Sequence, residues 1–202
     1  MPAQISAIGP DLAIGAISEL ACKPVSDAWV HPLGFIHVRL GTVGGLRRRV
    51  HIWPKRTVQD ERITTLQIHN HAFEFRSRVL TGCVTHQPHS VVESTRGPCR
   101  LFEVHNTERG ASIVPTSKTC LVNPGHVAAC RASEEYVVGP GVFHRSAALD
   151  DLSATLVLAR PIAGVTSYVV GDRSQRPDDV IWERVSSESL KAVAERILEQ
   201  LR

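Results

Sequence analysis

The sequence predicts an all-β domain, and three observations lead to that prediction. From Phe35 onward the chain of 202 residues is divided into many short segments rich in Val, Ile, Leu and Thr, which Gly, Pro or Asn residues separate. Segments of this length and spacing are typical of the strands of a sandwich or barrel. No helical pattern interrupts them, which argues against a βαβ architecture. Aromatic residues form only 5% of the chain, so the core must consist mainly of aliphatic side chains.

Each end of the chain adds one helix to this predicted β-rich core, within a single domain over residues 1–202. The N-terminal segment 1–30 carries a partial apolar stripe that predicts a short helix over residues 11–21. The β-rich core is expected over residues 35–170. In the C-terminal segment 186–202, Ser186 supplies an N-cap and apolar residues recur every three or four positions, which predicts an amphipathic helix. The apolar positions of that helix are Leu190, Val193, Ala194, Ile197, Leu198 and Leu201.

The composition excludes several classes of protein. The formal net charge is +3 and the positive residues are scattered, apart from the three arginines at 47–49, so we expect no nucleic-acid partner. No stretch approaches the roughly 18 apolar residues of a membrane span, and the N-terminus lacks the features of a signal peptide. The five cysteines include no C-x-x-C pair, which favours reduced thiols in the cytoplasm over a disulfide framework or a zinc site.

Two histidines in the segment 66–82 predict a metal site. Because side chains alternate along a strand, Thr65, Gln67, His69 and His71 are expected on one face, with their neighbours Leu66 and Ile68 on the other. Two imidazoles at this spacing point the same way and can share one ion. A third ligand must come from another strand, and His144 is the candidate because it follows a Gly-Pro-Gly turn at residues 139–141.

These two segments together resemble the two motifs of the cupin superfamily. The first motif is His69-Asn70-His71 with Gly82 closing it, and the second runs from Pro140 to His144. The resemblance implies a double-stranded β-helix, or jelly-roll barrel, with a divalent metal bound in its mouth by His69, His71 and His144. It covers roughly residues 35 to 160.

The sequence departs from the family pattern at the acidic residue of the first motif. The positions where the glutamate would fall carry Phe75 or Arg76, and Glu74 lies one or two residues early. Two alternatives follow from the resemblance. One is a site of three histidines, as in cupin thiol dioxygenases, and the other adds Glu74 as a fourth ligand if the chain bulges after His71.

A second strand is expected to supply a substrate pocket. Arg49, His51 and Trp53 share one face of it, and Gln67 is in phase with the metal-ligating histidines. A guanidinium would pair with a substrate carboxylate and an indole would supply an apolar wall. In the alternative interpretation Arg49 is a surface residue and Trp53 is part of the core.

The opposite faces of these strands are apolar and need cover. Val50 and Ile52 form one such face, and Leu66 and Ile68 form the other. Since exposed apolar area costs about 25 cal/mol per Å², we expect the C-terminal helix or a second subunit of a homodimer to cover at least one of them. The remaining histidines are interpreted as ordinary hydrogen-bonded residues; these are His31, His37, His86, His89, His105 and His126.

The predicted site favours oxygen chemistry on a small molecule. Neutral imidazoles without a tight fourth protein ligand leave open positions, and this suits Fe(II), a bound substrate and O₂. The first hypothesis is therefore a non-haem Fe(II) oxygenase with a small-molecule substrate and no organic cofactor. The second is a metal-assisted isomerase, lyase or cyclase in which His51 or Glu74 moves a proton. The third is a small-ligand-binding protein without catalysis.

Overall fold

The computed structural model describes residues 4–25, 27–54, 66–107, 110–176 and 180–201. The helices within these residues are α1 (Pro10–Cys22) and α2 (Ser187–Gln200). The strands are β1 (Ala28–His31), β2 (Phe35–Val43), β3 (Leu46–Pro54), β4 (Phe73–Thr81), β5 (Cys83–Glu93), β6 (Cys99–Thr107), β7 (Gly110–Pro124), β8 (Ala128–Arg131), β9 (Glu135–Val138), β10 (His144–Ala148), β11 (Leu152–Pro161), β12 (Tyr168–Asp172), β13 (Val180–Ile181) and β14 (Glu183–Arg184).

The strands form two antiparallel sheets. The first has seven strands in the order β14-β1-β2-β3-β11-β4-β9. The second has β10-β5-β7-β6-β12 as its main path, with β8 paired to β5 and β13 paired to β7. This architecture confirms the predicted all-β fold, with a short N-terminal helix and an amphipathic C-terminal helix, and it is the arrangement that a jelly-roll barrel requires.

The sheets extend beyond the predicted range of residues 35–170. Strand β1 begins in the N-terminal segment 1–30, in which the sequence predicts only a helix over residues 11–21, and it pairs with β2 on one side and β14 on the other. Four residues are too few for an alternating pattern to be recognised. Strands β13 and β14 lie beyond residue 170. They were not predicted either, because each has only two residues.

The two helices begin where the sequence predicts. Pro10 opens α1, at a position where a proline's missing N–H costs nothing. The side chain of Ser186 caps α2 by accepting a hydrogen bond from the Ser189 N–H at 3.1 Å. Neither described helix is long and apolar enough to cross a membrane.

The largest apolar core lies between these helices and the outer face of the first sheet. Val50 and Ile52 of β3 are fully buried there, together with Leu156 of β11. From the helices, Ile17 and Ile197 pack onto the same cluster with no exposed surface. The terminal helices therefore cover the apolar face of β3. The sequence predicts the C-terminal helix or a second subunit as the cover, and the helix is present there. The other face of β3 is free to line a cavity.

Glu135 anchors the N-terminal segment to the first sheet. Its carboxylate accepts a hydrogen bond from the Ile8 N–H at 2.9 Å and pairs with Arg76 at 2.9 Å and Arg78 at 3.3 Å. Arg76 also donates from Nε to the Ile5 carbonyl at 2.9 Å. Burial raises the pKa of Glu135, but these hydrogen bonds outweigh burial and hold the pKa below its ordinary value. The arginines of β4 are thus part of the outer face and do not enter the barrel.

Candidate metal centre

Backbone hydrogen bonds join the two histidine motifs. The His69 N–H donates to the His144 carbonyl at 3.1 Å, and the His144 N–H donates to the His69 carbonyl at 2.8 Å. The turn before His144 is tied to the first motif as well, because the Gly141 N–H donates to the His71 carbonyl at 2.9 Å. Gly141 has a φ of 74°, a left-handed conformation that favours glycine. The turn thus fixes where His144 enters β10.

The three imidazoles converge on one point. Their ring centroids are 4.7 Å apart for His69 and His71, 4.6 Å for His69 and His144, and 5.1 Å for His71 and His144. One ring nitrogen from each lies within 4.8 Å of the others. Among the described residues, these metal-site histidines form the only such group of potential ligands.

Hydrogen bonds set the tautomer of two of these rings. His69 Nδ1 lies 2.9 Å from the Gln67 carbonyl, and His144 Nδ1 lies 3.1 Å from the Val142 carbonyl. A carbonyl only accepts, so each Nδ1 carries the proton and each Nε2 keeps its lone pair for a metal. The third ring, His71, is held by stacking on Phe73 at 4.4 Å and an interplanar angle of 15°.

Burial of the three rings favours their neutral form. Burial is the main cause, and it lowers the pKa of each imidazole below its ordinary value of 6.5. The neighbouring rings lower the pKa of His71 and His144 further. Three neutral nitrogen donors with two fixed tautomers suit a divalent transition metal. The residues present therefore fit the metal that the sequence predicts, and metal binding itself stays a prediction.

Glu74 does not belong to this group. Phe73 and Phe75 line the cavity, so Glu74 between them points to the outer face of β4. There its carboxylate accepts a hydrogen bond from Arg160 Nε at 2.6 Å. The chain does not bulge after His71 in the way that would turn Glu74 inward. The structure thus favours the three-histidine alternative and corrects the proposal of Glu74 as a fourth ligand or proton carrier.

The segment that carries the first motif is not the regular strand that the sequence predicts. His69 makes single bridges to His144 and Val169, and residues 66–72 belong to no named strand. Leu66 packs with Phe102 inside the barrel, so it does not share an outward face with Ile68. Thr65 lies outside the described residues.

Gln67 occupies a different place from the one predicted. Gln67 lines a neighbouring, smaller cavity of about 240 Å³ and does not line the cavity of the metal-site histidines. Its contribution to the site comes from the backbone carbonyl that accepts the His69 Nδ1 hydrogen bond. The predicted role of the Gln67 side chain in substrate binding is therefore corrected to a backbone role that orients His69.

A cavity of about 540 Å³ opens in front of the metal-site histidines. Arg49, His51 and Trp53 all line it, as the alternation along β3 predicts. Phe35 packs on two of them, with ring centroids 4.6 Å from His51 and 5.2 Å from Trp53. The cavity is large enough for a small organic molecule.

Two further histidines of this cavity were not expected there. His31 and His37 line it together with His51, and we call these three the second histidine group. His37 Nδ1 and His51 Nε2 are 3.2 Å apart and share a hydrogen bond. Burial is again the main cause that lowers their pKa values, to about 3 for His31. The β2–β3 hairpin could have predicted the pair of His37 and His51, because its register places these two residues opposite each other.

His86 lies behind the metal-site histidines. Its ring centroid is 5.2 Å from that of His144 and it stacks on Tyr136 at 5.0 Å. It pairs in register with Ser146 across β5 and β10. Its placement beside a ligand depends on a contact between strands far apart in sequence, which spacing alone does not reveal.

Comparison with known proteins gives similarity of structure only. No family model and no curated protein matches the sequence. The structure is similar to hydroquinone 1,2-dioxygenase from Sphingomonas sp. TTNP3 with 4-hydroxybenzoate bound, at 12% identity and a TM-score of 0.38, over 80% of this chain and 82% of that chain. It is also similar to an oxalate oxidase, at 12% identity and a TM-score of 0.33, over 85% of this chain and 74% of that chain.

A third similar structure is that of a protein from E. coli strain K12. The identity is 14% and the TM-score 0.30, over 63% of this chain and 92% of that chain. At such identities and TM-scores these similarities carry no argument about the reaction of this chain.

Proposed function

We propose that this protein is a metal-dependent cupin enzyme, a non-haem Fe(II) oxygenase acting on a small organic substrate. The observation that carries the proposal is the convergence of three imidazoles at the wall of the cavity of about 540 Å³, His144 buried and the other two half-buried, with one nitrogen of each within 4.8 Å of the others. His69, His71 and His144 would hold the metal. Three protein ligands would leave open positions, and a bound ferrous ion would supply activation of O₂, with the substrate as the net source of electrons.

The chain's own residues would position the substrate and manage protons. Trp53 and Phe35 would give the substrate an apolar wall. His51 is held neutral by burial and shares a hydrogen bond with His37, so it can accept a proton from a bound substrate. Arg49 lines the same cavity and supplies a positive charge.

The second candidate function is a metal-assisted isomerase, lyase or cyclase. The hydrogen-bonded His37–His51 pair favours it, because a neutral imidazole base beside a Lewis-acidic ion is what proton transfer next to a polarised carbonyl requires. In this reaction the metal need not be iron and no O₂ is consumed.

The test begins with elemental analysis of protein purified without oxygen and without added metal. We expect close to one iron per chain, and O₂ consumption when a substrate is supplied. Zinc, nickel or manganese with turnover that needs no O₂ would support the second candidate. Ligand binding without turnover would support a binding protein.

The His144→Ala variant tests the site itself, with His89→Ala as its control. His89 has the same local geometry, with Nδ1 3.1 Å from the carbonyl two residues before it, but it does not belong to the ligand group. We expect His144→Ala to be isolated without metal and His89→Ala to retain it. Unchanged metal content in His144→Ala would contradict the proposed site.

We also propose a cytoplasmic location and a homodimer. All five cysteines are free in the structure, which agrees with a reducing compartment. The dimer is tested by light scattering of the eluted peak in size-exclusion chromatography, where a monomeric mass would contradict it.

A further inference from the structure

We infer that the cavity binds its substrate as a carboxylate, with the acid group on Arg49 and an apolar body against the aromatic wall. This inference rests on the proposed function, because it names the substrate class of that site. Arg49 is a cavity residue that has no anionic partner among the described residues.

Arg49 carries an uncompensated charge. It projects from β3 into the cavity and makes no hydrogen bond or ion pair with any described residue. Burial, with Arg47 and Arg39 nearby, lowers its pKa to about 10, so it is still protonated at neutral pH. A partly buried cation without a counter-ion is unfavourable unless a ligand supplies the negative charge.

The other charged residues of the cavity wall do not balance Arg49. Asp27 is the only acidic residue of the wall within the described chain, and it faces Arg39 at 4.0 Å. Arg48 pairs with Glu19 at 3.2 Å. Arg47 is exposed at the edge of the cavity. The wall therefore has a positive excess, and this favours an anion over a neutral or cationic substrate.

The position of Arg49 sets the distance between the acid group and the metal. The guanidinium carbon lies 4.5 Å from the ring centroid of Phe73, and the other neighbour of that ring is His71, 4.4 Å from it. One aromatic ring thus separates the cation from a metal ligand. A substrate bound at both points needs a reacting group only a few bonds from its carboxylate.

The rest of the wall supplies apolar contact. Phe35 and Trp53 pack together at 5.2 Å on the β2–β3 side of the cavity. Trp53 is only 8% exposed. The combination of a cation and aromatic rings describes a small organic acid.

The test compares acids with their amides on the metal-loaded protein. Benzoate and hexanoate are titrated against benzamide and hexanamide by isothermal calorimetry, so that shape is matched and only the charge differs. We expect each acid to bind at least about tenfold more tightly than its amide, since a charge-assisted hydrogen bond is roughly twice as strong as a neutral one. Arg49→Gln is expected to remove this preference, and Arg49→Lys to keep part of it.

Two variants serve as controls. Arg47→Gln, at the exposed edge of the same strand, is expected to change the preference by less than about threefold. Arg39→Gln is expected to behave likewise. The inference is overturned if no acid is preferred by the wild type, if Arg49→Gln keeps the preference, or if Arg39→Gln removes it.

Metal content is measured on the same samples, which separates this inference from the proposed function. A protein that holds its metal but shows no preference for acids overturns the carboxylate assignment alone. A protein that prefers acids through Arg49 but holds no metal overturns the proposed function and supports the carboxylate assignment.

Discussion

Two groups of three histidines line the same cavity, and they are built differently. In the metal-site histidines, two Nδ1 atoms are bound to backbone carbonyls, so their Nε2 atoms are left available. In the second histidine group, a ring nitrogen of His37 is bound to a ring nitrogen of His51. One group exposes its lone pairs to the cavity, while the other uses some of them internally.

The difference shows that clustering of histidines does not by itself make a metal site. Each group combines one buried histidine with two half-buried ones, and burial lowers the pKa values of both groups, which favours neutral rings. Only the metal-site histidines bring three ligand atoms within 4.8 Å of one another. This difference supports the proposal that metal would bind at that group, whereas the second group has an internal hydrogen bond.

The largest expected effect separates the two groups by metal affinity. His71→Ala is expected to weaken metal binding by more than about 100-fold, because loss of residues that merely support a ligand already costs about 10–100-fold. His37→Ala is expected to stay within about threefold of the wild type, since it supplies no ligand atom. Competition with a chromophoric chelator, using Co²⁺ or Zn²⁺, measures both. Equal losses of metal affinity in the two variants would contradict the proposal that only the metal-site histidines bind metal.

The sequence predicts those parts of the site whose signals lie close together along the chain. The spacing of His69 and His71 and the turn before His144 were enough to predict the metal-site histidines, because both signals are local. The apolar stripe of α2 and the alternation along β3 are local as well, and the structure confirms α2 and the inward face of Arg49, His51 and Trp53.

The parts that were not predicted depend on how strands pair and on the path of the chain. His37 and His51 meet because the register of the β2–β3 hairpin places them opposite each other, and a pattern within a single strand does not show that register. Gln67 was misplaced because residues 66–72 form bridges and no continuous strand, so strict alternation does not apply to them. Glu74 could be placed only once the path of the chain after His71 was known.

The next effect concerns protons taken up on unfolding. Burial lowers the pKa of His31 in the folded protein to about 3, against an ordinary value of 6.5. Between these pH values the unfolded chain binds a proton that the folded chain does not, so the free energy of unfolding decreases as pH falls from 6.5. The contribution is about 1.4 kcal/mol per pH unit for one proton.

His31→Phe is expected to remove that part of the pH dependence. Phenylalanine keeps an aromatic ring next to Phe35, on which His31 stacks at 4.4 Å. Urea unfolding of the metal-free protein between about pH 6 and 4.5 gives the slope of the free energy of unfolding against pH. The variant should show a slope that is smaller by about one proton. An unchanged slope would mean that His31 titrates in the folded protein as it does in the unfolded chain.

A smaller effect tests the internal hydrogen bond of the second histidine group. A double-mutant cycle with His37→Phe and His51→Phe is expected to give a coupling energy of about 1 kcal/mol, the usual net value of one hydrogen bond. The unfolding free energies of the metal-free wild type, the two single variants and the double variant are needed. The control pair is His31→Phe with His51→Phe, for which no direct hydrogen bond exists in the described structure. Equal coupling in both cycles would show that packing of the rings, and no specific hydrogen bond, holds the group together.

The smallest effect tests the backbone support of the metal-site histidines. Gln67→Ala removes the side chain from the smaller cavity but keeps the carbonyl that accepts the His69 Nδ1 hydrogen bond at 2.9 Å. Metal affinity is therefore expected to stay within about twofold of the wild type, whereas loss of a side-chain partner of a ligating histidine costs about 10–100-fold. Gln87→Ala is the matched control, because its carbonyl makes the same contact to His89, which is not a predicted ligand. A tenfold or larger loss in Gln67→Ala alone would place that side chain in the metal site. A loss of twofold or less would show that the tautomer of His69 is set by a group that every residue at position 67 carries.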